Sequence, residues 1–152
     1  MSYTKTGALN KYTQASVQAD ASCASPHRLI QMLLDGALEK IAIGRGHMAR
    51  GHIDAKSQHI GWAISIISGL RTSLDMNAGG DIANNLNDLY DYMSRRLMHA
   101  NLKNDIAALD EVIGLLRQVK SAWDAIPDEV QRAHAQAKPG APAAAEPSVA
   151  AR

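Results

Sequence analysis

The 152-residue chain has no phenylalanine, and aromatic residues make up only 4% of it. A hydrophobic core must therefore be built mainly from Leu, Ile, Ala and Met. That composition favours packed helices over sheets, since strands are enriched in aromatic and β-branched residues. The length is typical of one small domain that can bury a proper core. The sequence thus predicts an all-α domain.

Cysteine is nearly absent as well, because Cys23 is the only one and no internal disulfide can form. Nothing therefore indicates a secreted domain built on disulfides. Residues 1–10 contain no apolar run that resembles the core of a signal peptide, and no stretch of the sequence approaches the length of a membrane span. We expect a cytoplasmic protein without membrane insertion.

The chain lacks a surplus of either charge, since 16 Lys and Arg residues face 15 Asp and Glu residues for a formal net charge of +1. Binding to nucleic acid or to an anionic membrane through a dominant electrostatic term needs a clustered surplus of Lys and Arg. The pair Arg95 and Arg96 is too short to supply one. We therefore expect no nucleic-acid partner.

Apolar residues instead recur at helical spacing in four segments. Ser25 and Pro26 predict the start of the first helix, because serine caps the first backbone N–H groups and proline fits the first helical position. This helix is predicted to run to about residue 50, where Gly51 closes it. Gly36 lies in its interior, where glycine costs about 1 kcal/mol relative to alanine. It predicts the close approach of a neighbouring backbone.

The second helix is predicted over about residues 52–76, where Ile53, Ile60, Ile67 and Leu74 recur every seven residues. Glycines 79 and 80 are predicted to end it. A stripe from Ile82 to residue 100 predicts the third helix. Asp105 is a plausible cap for the fourth, which extends to about residue 126 and carries Trp123 at one end of the core.

Short turns of about four or five residues force consecutive helices to lie antiparallel, which predicts an up-down-up-down four-helix bundle over residues 25–126. Residues 1–24 predict a mobile N-terminal arm or a short weak helix, with plain disorder as the alternative. Residues 127–152 are rich in Ala and Pro and predict a disordered tail.

No constellation of residues in the sequence indicates catalysis. A di-iron bundle needs Glu-x-x-His pairs, and none of the four glutamates is followed by histidine three residues later. His47, His52 and His59 have no cysteine or carboxylate at ligand spacing, so solvated histidines are favoured over a zinc site. Cys23 is interpreted as an inert thiol. We expect no enzyme activity, no metal and no cofactor.

The stronger signal is apolar surface beyond what a core needs on the second and third helices. Tyr90 and Tyr92 add large area with hydroxyl groups, which suits the edge of a core as well as a protein contact. Such a surplus is expected of a bundle that takes a helix or an extended segment of another protein into a groove.

The chain also resembles a known family over about residues 9–126. The resemblance rests on the order and spacing of several motifs: ASPHRLIQMLLDGA at 24–37, GHIDAK at 51–56, SLDM at 73–76, GGDIANNL at 79–86, LYDYM at 89–93, RL at 96–97, DEV at 110–112 and AW at 122–123. These motifs are similar to those of the FliS family of flagellar export chaperones. His52 departs from the family pattern, which usually has an acidic residue there, and the tail after residue 127 is longer than that pattern.

The resemblance implies an antiparallel four-helix bundle that binds the disordered C-terminal segment of flagellin, blocks its premature polymerisation and delivers it to the flagellar type III export gate. It also implies that Tyr12 on the N-terminal arm occupies the groove when flagellin is absent. We predict a flagellin-binding groove that includes Tyr12, Ile60, Ile64, Ile67, Leu86, Leu89, Tyr90, Met93 and Leu97.

Two alternatives stay open from the sequence. Each isoleucine and leucine of the predicted groove has a place in the bundle core as an equally good interpretation. A self-associating bundle, as a homodimer scaffold or regulatory protein without flagellin, would bury the same apolar surplus.

Overall fold

The structure, a computed structural model, describes residues 24–137. Within these it has five α-helices: α1 (Pro26–Ala49), α2 (Ile53–Thr72), α3 (Gly80–Lys103), α4 (Ile106–Asp124) and α5 (Asp128–Ala137). Residues 30–125 form one unit, and the described residues 24–29 and 126–137 are assigned to a second unit. Residues 1–23 of the predicted arm and 138–152 of the predicted tail lie outside the described residues.

Local signals account for the limits of α1 and the start of α4. The Oγ of Ser25 accepts a hydrogen bond of 3.1 Å from the backbone N–H of Arg28, as expected of an N-cap. Gly51, just after α1, has a positive φ of 74°. Asp105 caps α4 by accepting from the backbone N–H of Ala108 at 3.1 Å. These predicted signals are confirmed.

The turn between α2 and α3 differs from the prediction. α2 ends at Thr72, and the Oδ1 of Asp75 accepts hydrogen bonds from the backbone N–H groups of Asn77 and Ala78 at 3.1 and 3.0 Å. This local turn satisfies the backbone outside a helix. Gly80, with φ of 54°, starts α3, so the glycine pair belongs to the beginning of α3 and does not end α2.

Contacts between helices establish the antiparallel order of α1 to α4. In each pair, residues near the end of one helix lie beside residues near the start of the other. The pairs are Gln31 with Asp124 and Arg45 with Asp110 (α1 and α4), Gly44 with Ile60 (α1 and α2), Arg71 with Asn87 and Ser57 with Asn101 (α2 and α3), and Arg96 with Glu111 (α3 and α4). The predicted all-α, up-down-up-down bundle is confirmed.

The core lies between these four helices and is built from aliphatic side chains and one tyrosine. Trp123 is partly buried and packs against it. Its fully buried large residues are Leu34, Ile41, Ile60, Ile67, Leu70, Met93, Leu97, Leu109, Val112 and Leu116. The apolar stripes predicted from the sequence therefore supply most of the core.

Two residues that the predicted stripes assign to the core are exposed. Ile53 retains 66% of its accessible surface and Ile82 retains 73%. Each lies in the first turn of its helix, where fewer neighbouring turns cover it.

The close approach of two helices also lies elsewhere than predicted. A Cβ on Gly36 would meet only the side chain of Ile66, at an ordinary 3.6 Å. A Cβ on Gly44 would lie 3.1 Å from Cγ1 of Ile60 and 3.6 Å from its backbone nitrogen. Gly44 therefore marks the tight contact of α1 with α2.

α5 differs from the prediction of a disordered segment from residue 127 onward. The carbonyl of Pro127 accepts from the backbone N–H groups of Val130 and Gln131 at 3.0 and 3.1 Å. Asp128 and Glu129 in the first turn carry negative charge where the helix dipole favours it. These local interactions explain a short helix within an otherwise Ala- and Pro-rich sequence.

Candidate binding surface

The predicted groove residues divide into three groups in the structure. Tyr12 lies outside the described residues. Ile60, Ile67, Met93 and Leu97 are fully buried, and Tyr90 is 4% exposed. Ile64, Leu86 and Leu89 are partly buried and pack against the core. In this structure the last three are the predicted residues with apolar surface open to a partner, while contact with flagellin stays a prediction for all nine.

The burial of Tyr90 has a chemical consequence. Loss of solvent around its hydroxyl raises the pKa of Tyr90, since the phenolate is disfavoured away from water. Tyr90 thus belongs to the core of the described chain, whereas Tyr92, two residues later, lies at the surface.

The first open apolar surface is a strip on α3 formed by Ile82, Leu86 and Leu89, here called the α3 strip. These residues are spaced by four and three, so they share one face of the helix. Arg71, next to the last residue of α2, donates to Oδ1 of Asn87 at 2.7 Å. The first turns of α3, which carry Ile82 and Leu86, therefore extend past the end of α2.

A second open apolar surface lies at the opposite end of the same helix pair. It consists of Ile53 in the first turn of α2 with Met98 and Leu102 near the end of α3, and is called the end patch. Met98 is 53% and Leu102 77% exposed. Hydrogen bonds from Lys56 to Asn101 and Asn104 bring these two helix ends together.

Sequence reasoning missed the end patch. The buried residues of α3 include Tyr90, Met93, Leu97 and Ala100, at steps of three and four. Met98 and Leu102 are one turn apart but off this series, and that offset was the available signal.

Charged residues join α2 to α3 on a face of α3 away from the α3 strip. Asp91 forms ion pairs with two arginines. Its Oδ1 lies 3.2 Å from Nη1 of Arg71 on α2, and its Oδ2 lies 3.0 Å from Nε of Arg95 on its own helix. All three side chains are substantially exposed, so each pair contributes little to stability. Their effect is to join α2 to the face of α3 that lies opposite the α3 strip.

On another side of α3, Glu111 of α4 joins two residues. Its carboxylate accepts a hydrogen bond of 2.6 Å from the Tyr92 hydroxyl and one of 2.8 Å from Nε of Arg96. These bonds, first from Tyr92 and then from Arg96, lower the pKa of Glu111. The bond to Glu111 is also the main cause that raises the pKa of Tyr92.

Among residues 24–137 the arrangement offers two open apolar surfaces and no converging set of reactive groups. Over residues 24–137 no group of three or more His, Cys, Asp or Glu side chains could hold a metal ion. No helix among the described ones is long and apolar enough to cross a membrane. The chemistry available to the two surfaces is noncovalent binding through burial of apolar side chains.

Comparison with known proteins gives the family. The family model "Flagellar protein FliS" matches residues 8–130. The chain is 52% identical over 119 residues to the flagellar secretion chaperone FliSB of Pseudomonas aeruginosa, covering 78% of this chain and 94% of that protein. It is 47% identical over 123 residues to the flagellar secretion chaperone FliS of Vibrio cholerae, covering 81% and 90%.

A third relative extends the match. The flagellar secretion chaperone FliS of Salmonella typhimurium is 46% identical over 125 residues, with 82% of this chain and 92% of that protein covered. The predicted resemblance is thereby confirmed over the whole bundle. The chain belongs to the FliS family of flagellar proteins.

Proposed function

We propose that this protein is a cytoplasmic flagellar secretion chaperone that binds the C-terminal segment of flagellin, keeps it from polymerising and brings it to the flagellar export gate. Binding is noncovalent and no reaction is catalysed. The names of the relatives, flagellar secretion chaperones, support the class of function. Those names do not mention the flagellin segment, the export gate or the residues of contact, which we add as parts of the proposal.

The observation that carries the proposal is the α3 strip. Ile82 is 73% exposed, and Leu86 and Leu89 beside it are only partly covered. Burial of such side chains by an amphipathic helix contributes about 25 cal/mol per Å² of apolar surface. A disordered segment that folds on the strip can offset its ordering entropy in this way.

In this proposal the nine predicted residues have different roles in binding. Ile64, Leu86 and Leu89 make direct contact with the segment, together with Ile82. Ile60, Ile67, Tyr90, Met93 and Leu97 hold α2 and α3 in place beneath it, as their burial supports. Tyr12 of the arm occupies the strip while flagellin is absent.

Isothermal titration with the last roughly 40 residues of the cognate flagellin tests the proposal. Coupled folding gives a favourable enthalpy, an unfavourable entropy and a negative heat-capacity change. Ile82→Asp is expected to weaken binding about tenfold or more, since burial of an isoleucine side chain contributes about 1.5–3 kcal/mol. Leu102→Asp is the matched control, because this residue is equally exposed on the same helix but lies in the end patch.

Each outcome has a clear meaning. Loss of affinity in Leu102→Asp with none in Ile82→Asp would move the site to the end patch. Tighter binding by Tyr12→Ala would support the competing arm, and unchanged or weaker binding would exclude it. A stable dimer by light scattering that ignores the peptide, with no heat of binding, would replace the proposal by self-association.

A further inference from the structure

Three histidines meet at the turn between α1 and α2. His47 lies in the last turn of α1, His52 directly precedes α2, and His59 lies on α2. The ring of His47 is 5.5 Å from that of His52 and 5.3 Å from that of His59, centroid to centroid. Arg50, in the turn, lies against the same ring.

The hydrogen bonds of this cluster converge on one atom. Nδ1 of His47 is 3.2 Å from Nδ1 of His52 and 3.4 Å from a terminal guanidinium nitrogen of Arg50. A guanidinium can only donate, so Nδ1 of His47 must accept. A neutral His47 that accepts there carries its proton on Nε2, and the single lone pair of its Nδ1 is then shared between Arg50 and His52.

The same residues enclose a sharp reversal of the chain. The backbone N–H of His52 donates to the carbonyl of His47 at 2.9 Å, and that of Gly51 to the carbonyl of Met48 at 3.2 Å. Gly51 has φ of 74°. His52 makes no side-chain cap for α2, so its ring is engaged with His47 instead.

We propose that His47 is a proton-operated latch for the α1–α2 turn: neutral His47 accepts hydrogen bonds from Arg50 and His52 and holds the turn closed, whereas protonated His47 releases both. Protonation places an N–H on Nδ1, the atom that receives both bonds. Both contacts that share the lone pair of this atom are thus lost in one step.

Neighbouring charges add to the effect. The pKa of His47 is lowered, first by partial burial and then by Arg50, His59 and His52. Arg50 and His52 belong to the turn and His59 to α2; no charged group of α3 or α4 and no carboxylate of the described residues is among the groups that shift it. Once protonated, His47 faces positive groups without a compensating negative one.

The direction with pH follows from linkage. The unfolded chain takes up a proton on His47 near the ordinary value of 6.5, before the folded chain does. The stabilisation from the closed turn is fully present above that pH and is lost as pH falls below it. We expect the loosening to include the first turn of α2, which starts at Ile53, one residue after His52.

The first test needs no substitution. Nitrogen-15 NMR of the histidine rings in the full chain reports the tautomer and the titration midpoint of His47. We expect a neutral ring protonated on Nε2 and a midpoint below 6.5. A ring protonated on Nδ1 at neutral pH, or a midpoint at or above that value, would overturn the proposal.

The second test measures the turn itself. Hydrogen exchange of the amides of Gly51 and His52 is compared at about pH 7.5 and at about one unit below the His47 midpoint that the first test measures, each normalised to the unfolded peptide rate. We expect a several-fold loss of protection at the lower pH in the wild type and none in His47→Gln, whose side-chain oxygen accepts but does not titrate there. His134→Gln on α5 is the control and should behave as wild type. Equal protection of wild type at both pH values would contradict the latch.

Discussion

Lys56 of α2 closes the C-terminal end of α3 through Asn104. Its Nζ donates to Oδ1 of Asn104 at 2.6 Å and to the carbonyl of Asn101 at 2.9 Å. Lys56 is only 5% exposed, and Asn104 adopts the left-handed conformation that ends α3. A buried ammonium group at the negative end of the helix dipole thus ties two helices together.

Lys56→Met should therefore destabilise the protein. Methionine keeps the apolar stem but leaves two acceptors without their donor, a loss of about 1.5–3 kcal/mol for hydrogen bonds to a charged group. Urea unfolding at neutral pH measures the change. Lys103→Met, at an exposed site in the last turn of the same helix, is the control and should cost less than about 1 kcal/mol. Equal effects of the two substitutions would exclude a special part for Lys56.

Asn104 combines a backbone and a side-chain contribution that two substitutions separate. Asn104→Gly loses the bond to Lys56 but accepts φ of 53° without strain. Asn104→Ala loses the same bond and adds about 1–2 kcal/mol for the left-handed backbone. Alanine should thus unfold at lower urea than glycine. The same midpoint for both would show that the backbone conformation costs nothing.

Two glycines predict opposite effects of alanine. A Cβ on Gly61 of α2 meets nothing within 4 Å, so Gly61→Ala should stabilise by about 0.5–1 kcal/mol through helix propensity. A Cβ on Gly44 would press on Ile60, which is fully buried, so overpacking of about 1–3 kcal/mol should exceed that gain. Thermal unfolding of both variants measures the two changes in stability. Stabilisation by Gly44→Ala would contradict the tight contact of α1 with α2.

Tyr92→Phe should raise the pKa of Glu111. The bond from the Tyr92 hydroxyl is the first cause that lowers it, while the bond from Arg96 remains in the variant. A lowered carboxyl pKa contributes stability above the unfolded value near 4.5 and loses it as pH falls through the folded value. Carbon-13 NMR of the Glu111 carboxyl measures the shift.

The stability of Tyr92→Phe relative to wild type gives a second test, in which the measurement at acid pH is the control. The difference between wild type and Tyr92→Phe should be present at neutral pH and shrink in acid, where Glu111 is protonated in both. A difference that does not change with pH would assign the effect of Tyr92 to packing instead.

The spacing of apolar residues predicted which side chains are buried in the interior of each helix, but it gave wrong assignments at the helix ends. It marks Ile53 and Ile82 as core residues, because spacing alone carries no information about how far the neighbouring helix extends. Both residues lie in first turns, and both are exposed. The same limit applies to Ile82 and Leu86 of the α3 strip, which lie past the end of α2, since Arg71 near that end bonds to Asn87.

Contacts between residues that are far apart in the chain could not be predicted from the sequence either. Nothing in the spacing of His47, His52, His59 and Arg50 shows that their polar atoms converge, since the turn at Gly51 sets the distances. Lys56 looks like an ordinary surface lysine until α3 is placed beside it, 45 and 48 residues away in the chain from its two acceptors.

Patterns along the chain were enough to predict that this protein is helical, where α1 and α4 begin, that four antiparallel helices enclose an aliphatic core, and which family it resembles. Local capping and apolar spacing act within a few residues, so they can be read along the chain. Tertiary structure alone decided which apolar residues stay open and which polar groups meet, because burial depends on where neighbouring helices end.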